Sequence, residues 1–289
     1  MKMNWYSRIM LLMAGFAALT LTSCSDDDPE TTQPEPPKPE KLAIAGSYAP
    51  FIVDPVENPV GALRIDAKWL DPANVPTVDL TSMGMGPLPL NLVLEIVNQL
   101  AGGYYAGGLA QFDFHEDGSV GAKYHKVTGA SIMEPEFSKE SFIFPGTDPN
   151  EIAAAKAISC STKGDLLFIS VKKAFIIEMG KKEGIDLCAA IDGILAKYPN
   201  LSITSTAEAY AIPMKYTVGT DKSLTIYIDK AMMMPYLPLL TEVVLPLIPE
   251  QADFAGTTIP ARAMLTKMLS DLFTQTESLV ISIKLQKIA

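Results

Sequence analysis

Three stretches alternate apolar and polar residues with a period of two, the mark of a strand with one buried face. Leu63, Ile65, Ala67 and Trp69 alternate with Arg64, Asp66 and Lys68. Leu224, Ile226 and Ile228 alternate with Thr225, Tyr227 and Asp229. Leu279, Ile281, Ile283 and Leu285 alternate with Ser282, Lys284 and Gln286. One-sided strands of this kind belong to antiparallel sheets. Turn residues predict three hairpins. In 109–127 a turn at Asp117-Gly118-Ser119 sets Phe112 opposite Tyr124, Phe114 opposite Ala122 and Asp113 opposite Lys123, which keeps the faces matched. A second hairpin turns at Lys163-Gly164, with Ile158 and Cys160 opposite Ile169 and Leu167, and a third turns at Gly219-Thr220-Asp221-Lys222.

Helical spacing is clearest in 260–276, where Pro260 suits a first position and Met264, Leu265, Met268, Leu269, Leu272 and Phe273 form one stripe. Residues 185–198 repeat Leu187, Ile191, Ile194, Leu195 and Tyr198 in the same way and stop at Pro199. Segments 88–101 and 235–248 are apolar on nearly every side, and the second is interrupted by Pro235, Pro238 and Pro246. A helix apolar all round is either covered by protein or lines a cavity. The Gly-rich run 102–108 reads as a loop between helix and strand. The fold class is therefore α+β, a curved antiparallel sheet with apolar helices on one face or at one end. Residues 42–289 form a single such domain, with two lobes, 42–147 and 148–289, as the variant suggested by Pro145-Gly146-Thr147-Asp148-Pro149.

The N-terminus carries a different signal. Lys2 and Arg8 precede an uncharged apolar run over residues 9–21. That run is too short to cross a bilayer core of about 30 Å as a helix, but it suits the core of a signal peptide over residues 1–23. Leu21-Thr22-Ser23-Cys24 resembles the bacterial lipobox, which implies an acylated Cys24 at the mature N-terminus and outer-membrane lipid as a partner. Acyl chains each add about 0.8 kcal/mol per buried methylene. Ser25-Asp26-Asp27-Asp28 resembles the acidic export signal of Bacteroidetes surface lipoproteins, which implies display on the outer face of the outer membrane; the periplasmic face is the alternative. Residues 25–41 hold five prolines, six acids and two lysines. With Cys24 they make a stalk over 24–41 that extends at about 3.1 Å per residue, roughly 50 Å in all.

Charge and composition narrow the chemistry. The net charge of −10 and pI near 4.8 argue against a nucleic-acid partner, whose phosphates call for Lys and Arg. Residues 42–289 carry 19 bases and 27 acids. No phosphate loop, dinucleotide fingerprint, nucleophile elbow or cofactor motif is present. His115 and His125 fall too far apart along the first hairpin to share a metal, and Asp113, Glu116 and Asp117 lack EF-hand spacing. No metal or cofactor is therefore expected. Ser170-Val171-Lys172-Lys173 has the letters of a Ser-x-x-Lys motif but sits on strand periodicity. Cys160 and Cys188 either bond in an oxidising envelope or remain two buried thiols.

Gly46-Ser47-Tyr48 leading into a strand resembles the opening of lipocalin-like (calycin-like) outer-membrane lipoproteins of gut Bacteroidetes. The resemblance implies a barrel-like sheet and a non-catalytic, extracytoplasmic binding role. The Met-rich run 232–237 and the apolar stretch 88–100 suggest Leu94, Val97, Met233, Met234, Tyr236 and Leu240 as the lining for a hydrophobic small molecule, since methionine adapts to irregular apolar shapes. Two other classes stay open: an adhesion or assembly module that pairs an envelope protein through strand edges, and a hydrolase whose carboxylates are assembled by the fold.

Overall fold

The computed structural model describes residues 42–51, 63–81, 84, 86–128, 136–184, 186–254 and 257–288. The expected signal peptide, Cys24, the expected export signal and the expected stalk lie outside them. In chain order the elements are β1 (Gly46–Pro50), β2 (Leu63–Trp69), β3 (Thr77–Val78), β4 (Leu88–Pro89) and α1 (Leu90–Gly108). Next come β5 (Leu109–Phe114), β6 (Val120–Val127), β7 (Phe137–Phe144), α2 (Pro149–Ala157), β8 (Ile158–Lys163), β9 (Leu166–Lys172), α3 (Lys173–Glu183) and α4 (Leu187–Lys197). The chain continues through β10 (Thr204–Ser205), β11 (Ala209–Val218), β12 (Ser223–Asp229) and a segment of mixed helical turns, α5, over 230–247. It ends with β13 (Ala252–Phe254), β14 (Thr257–Ile259), α6 (Ala261–Thr274) and β15 (Thr276–Lys287). The protein is α+β.

Eleven strands form one antiparallel sheet in the order β7-β6-β5-β1-β15-β12-β11-β9-β8, with β10 beside β11 and β2 beside β15. β15 is its spine. One of its edges pairs with β12 from Asp229↔Val280 to Ser223↔Gln286. The other takes β2 first, from Trp69↔Thr276 to Leu63↔Ile283, and then β1, from Pro50↔Leu285 to Tyr48↔Lys287. Strands from both sides of the 145–149 turn therefore belong to one sheet.

The apolar alternation lies on one face of this sheet, against three clusters. The first gathers Tyr48, Phe114, Leu167, Leu224 and Leu285; the second holds Trp69, Leu90, Leu94, Leu272, Phe273 and Leu279; the third holds Ile176, Leu195, Tyr210 and Leu239. Polar residues such as Asp66 and Lys68 occupy the other face and are exposed.

The sheet curls without closing. Phe114 of β5 and Cys160 of β8 share a cluster although five strands separate them in the strand order. The β5–β6 turn reaches β8, where Gly118 O accepts from Cys160 N at 2.7 Å. A Cβ on Gly118 would lie 2.3 Å from Cys160 O, so only glycine permits this approach. One hydrogen bond between a turn and an edge is not a ladder, and the barrel-like expectation gives way to an open, curled sheet. Leu42 and Ile44 plug the curl, and Tyr48 Oη donates to Ile44 O at 2.9 Å.

Two hairpin registers differ from the alternation-based expectation by two residues, which preserves every face. The first pairs Phe112 with Ala122 and Phe114 with Val120, and His115 N donates to Ser119 O. Its loop is therefore Glu116-Asp117-Gly118, with Gly118 (φ 82°) in the last position, where a three-residue loop needs a left-handed residue. The second pairs Ile158 with Val171 and Cys160 with Ile169 around Gly164-Asp165. Gly164 (φ 62°) takes the first loop position, as a type II′ turn requires. The Gly-rich run 102–108 is the last part of α1 rather than a loop. A Cβ at Gly107 would collide with the Phe137 ring, so the glycines let β7 pack against the helix.

α1 also protects a sheet edge. Leu90, Leu94, Asn98 and Gly102 make its buried stripe, while Leu92 and Ile96 stay exposed. Asn98, only 2% exposed, turns its side-chain amide on the free edge of β2. Its Oδ1 accepts from Ile65 N at 2.7 Å and its Nδ2 donates to Ile65 O at 3.0 Å, so one side chain stands in for a missing strand. An orphaned backbone group costs about 1–3 kcal/mol, so Asn98→Ala should lower stability in urea unfolding by about 2–4 kcal/mol. A loss below about 0.5 kcal/mol, the ordinary range for surface substitutions, contradicts this role.

Candidate ligand cavity

The spine strand places three isoleucines in a row. Ile281 of β15 pairs with Ile65 of β2 on one side and with Ile228 of β12 on the other, so their side chains lie abreast on the apolar face. With Leu279 they floor a cavity of about 230 Å³. α6 supplies a wall through Leu269, Leu272 and Phe273, spaced to share one helical face. α5 supplies the roof through Met232, Met233, Tyr236, Leu239 and Leu240. Ser202, exposed in the loop before β10, marks the solvent side.

The void follows from the sequence of α5. Pro235, Pro238 and Pro246 each lack an N–H, and a regular helix cannot run through them. The segment passes instead through α, 3₁₀, α, π and 3₁₀ turns. Thr241 Oγ1 lies 2.9 Å from Leu237 O and 3.1 Å from Pro238 O, so its one hydroxyl proton is shared between carbonyls of the preceding turn, a back-bond that bends a helix. Such a backbone presents no straight ridges to mesh with the sheet, and the space beneath it stays unfilled.

Polar ties hold this roof at both ends and in the middle. Asp229 caps its start, accepting from Met232 N at 3.0 Å, and pairs with Lys215 Nζ at 2.5 Å. Glu242 accepts from Lys197 Nζ and Tyr198 Oη, each at 2.8 Å. Arg262 donates through Nε to Ile248 O at 2.8 Å and through Nη2 to Pro246 O at 3.1 Å. Burial pushes the Asp229 carboxyl upward, but Lys215 and the capped backbone N–H groups outweigh it and hold the group below the usual aspartate value. Lys197 and Tyr198 lower Glu242 in the same direction. Burial pushes the Tyr236 phenol up to about 12, so it is neutral at any physiological pH.

Of the residues suggested by the Met-rich and apolar stretches, Met233, Tyr236 and Leu240 line this cavity. Met234 turns outward at 44% exposure. Leu94 is buried in the second cluster, and half-buried Val97 shares its helix; neither is in the lining. Alternation did single out Ile65, Ile228 and Ile281 as inward-facing, but nothing local says that their strands are neighbours.

Other candidate groups stay apart. Cys160 and Cys188 are free thiols. Cys160 belongs to the first cluster and Cys188 packs on the third, so of the two alternatives, a bond or two thiols, the structure has two separate thiols. Burial pushes the Cys160 thiol up to about 12, leaving it protonated and unreactive. His125 Nδ1 lies 2.9 Å from Ser138 O, and Asp113 accepts from Ser47 and Gln111. Among the described residues no group of three His, Cys, Asp or Glu is placed to hold a metal. A wider groove of about 830 Å³ between α2 and α3 has Glu151, Lys156, Lys172 and Glu178 in its lining, and so lacks the dry surface of the cavity.

Comparison with protein-family models, curated proteins and solved structures gives no match.

A depressed carboxylate stabilises the fold above its unfolded pKa, and the contribution fades as pH falls through the folded value. Asp229 and Glu242 should therefore release α5 in acid. Hydrogen exchange within 230–247 is expected to accelerate as pH drops below about 4, beyond the intrinsic trend and more than in α1. Equal acceleration in both helices contradicts the role given to these ties.

Proposed function

We propose that this chain is a lipid-anchored protein of the bacterial outer membrane whose folded part binds a small hydrophobic ligand without transforming it. The observation that carries the binding reading is the cavity: fourteen residues line it, and none carries a charge. Pockets for small molecules are concave and mostly apolar, with few polar groups. The acidic sign of the folded part fits the same picture, because weak repulsion from anionic surfaces leaves the acylated Cys24 and its stalk as the attachment. The lipocalin-like resemblance enters through a shared principle, a curved sheet that offers its apolar face to a ligand. Here helices roof that face.

An assembly role has one observation in its favour. β7 ends the strand order, pairs only with β6 among the described strands, and leaves Ile143 60% exposed. Sedimentation would separate the readings, since a binder stays monomeric and an edge-pairing module does not.

Trp69 gives the binding reading a built-in reporter, because it belongs to the cluster of Met233, Leu272, Phe273 and Leu279, all of them lining residues. In a Trp5→Phe chain, titration with propylbenzene should shift Trp69 emission saturably. At a hundredfold excess over Kd the ligand should stabilise the fold by about 2.7 kcal/mol. Ser202→Phe, at the solvent side, should abolish the response while changing stability by less than about 0.5 kcal/mol. A response that does not saturate, or that survives Ser202→Phe, contradicts binding in this cavity.

The anchor is tested separately. A Cys24→Ala chain should leave the membrane fraction, and retention there contradicts lipidation as the attachment.

A further inference from the structure

The lining of the cavity is apolar apart from the hydroxyls of Tyr236 and Ser202. Tyr236 lines it, and among the described residues no group hydrogen-bonds to its Oη. The nearby polar side chains are committed elsewhere. Asp229 holds Lys215 and Met232 N, Lys230 Nζ donates to Thr276 O at 2.5 Å, and Thr276 Oγ1 donates to Leu272 O. Every buried side-chain oxygen and nitrogen among the described residues has a partner, so Tyr236 Oη keeps access to water, and a ligand that hydrogen-bonds to it replaces that water at a modest net gain.

Two further observations bound the ligand. An apolar cavity of roughly 150 Å³ accepts benzene. By proportion, a space of about 230 Å³ accepts a body of about nine or ten non-hydrogen atoms, too small for a two-chain lipid. No lysine, arginine or histidine is among the lining residues, so a buried carboxylate or phosphate would lose its water without gaining a counter-ion. Ser202, being exposed, offers only a weak polar contact at the mouth.

We infer that the cavity selects a compact, uncharged ligand of about ten non-hydrogen atoms bearing a single carbonyl or hydroxyl group, which hydrogen-bonds to Tyr236 Oη while its hydrocarbon body lies on the Ile65–Ile281–Ile228 row. This rests on the cavity being a binding site. A carbonyl ligand accepts the phenol proton, and an alcohol either accepts it or donates to the phenol oxygen.

Propylbenzene, propiophenone and hydrocinnamate share a carbon count and differ in having no polar group, a carbonyl and a carboxylate. Each is titrated calorimetrically at neutral pH into the purified full-length chain and into its Tyr236→Phe variant, which keeps the ring and its packing. Propiophenone should bind about five- to tenfold more tightly than propylbenzene in the native chain, the margin of one hydrogen bond. That margin should vanish in Tyr236→Phe. Hydrocinnamate should bind at least about a hundredfold more weakly than propiophenone. Equal binding of propiophenone and propylbenzene, a margin that survives in Tyr236→Phe, or hydrocinnamate bound as tightly as propiophenone overturns the selectivity and leaves the cavity reading standing. Binding of none of the three overturns the cavity reading and the selectivity with it.

Discussion

β15 must satisfy two edges at once. On one it pairs with β12, and on the other with β2 and β1 laid end to end. Because side chains alternate with a strict period of two, a slip of one residue against any of these neighbours would turn the apolar row of β15 away from the core. Leu279 and Leu285 are almost fully buried at the two ends of that row. The joint between the early and late parts of the chain therefore depends on a register fixed by hydrophobic alternation. Asn98 secures its outer margin by occupying the free groups of Ile65.

The cavity is a consequence of this arrangement and of an irregular roof. The sheet offers a flat row of β-branched side chains, and α5, broken by prolines, cannot settle into it as a regular helix would. Interiors normally pack to crystal-like density with few voids larger than water. A void of about 230 Å³ is thus an unusual feature for a sequence to keep. The ties that hold the roof are side-chain bonds at its two ends and its middle, with Glu242 and Lys197 largely solvent-exposed. Exposed ion pairs are worth little individually, so α5 is held more lightly than the strands beneath it.

Much of the fold was legible from local pattern. The alternation in β2, β12 and β15 and the helical stripes of α4 and α6 named the elements, because each buries one face. Hairpin registers were legible only to within a loop position: Gly118 and Gly164 were recognised as turn residues, but whether a glycine leads or ends its loop depends on backbone geometry that composition does not carry. The Gly-rich end of α1 misled because helix propensity was outweighed by the close approach of Phe137 to Gly107. The cavity was half legible. Its methionine roof stood out as a composition, whereas its floor needs β2 and β12 on opposite sides of β15, a pairing between residues some two hundred positions apart in the case of Ile65 and Ile281. The choice between a disulfide and two thiols was not legible for a related reason, since which apolar cluster each cysteine joins is decided by tertiary packing.

The most direct measurement is proton-proton cross-relaxation in the methyl-labelled protein with propylbenzene bound. Ligand protons should relay magnetisation to the δ-methyls of Ile65, Ile228 and Ile281, and not to those of the exposed Ile143 and Ile177. Transfer to the exposed isoleucines alone, or to none, would mean that the row beneath α5 is simply part of a closed core.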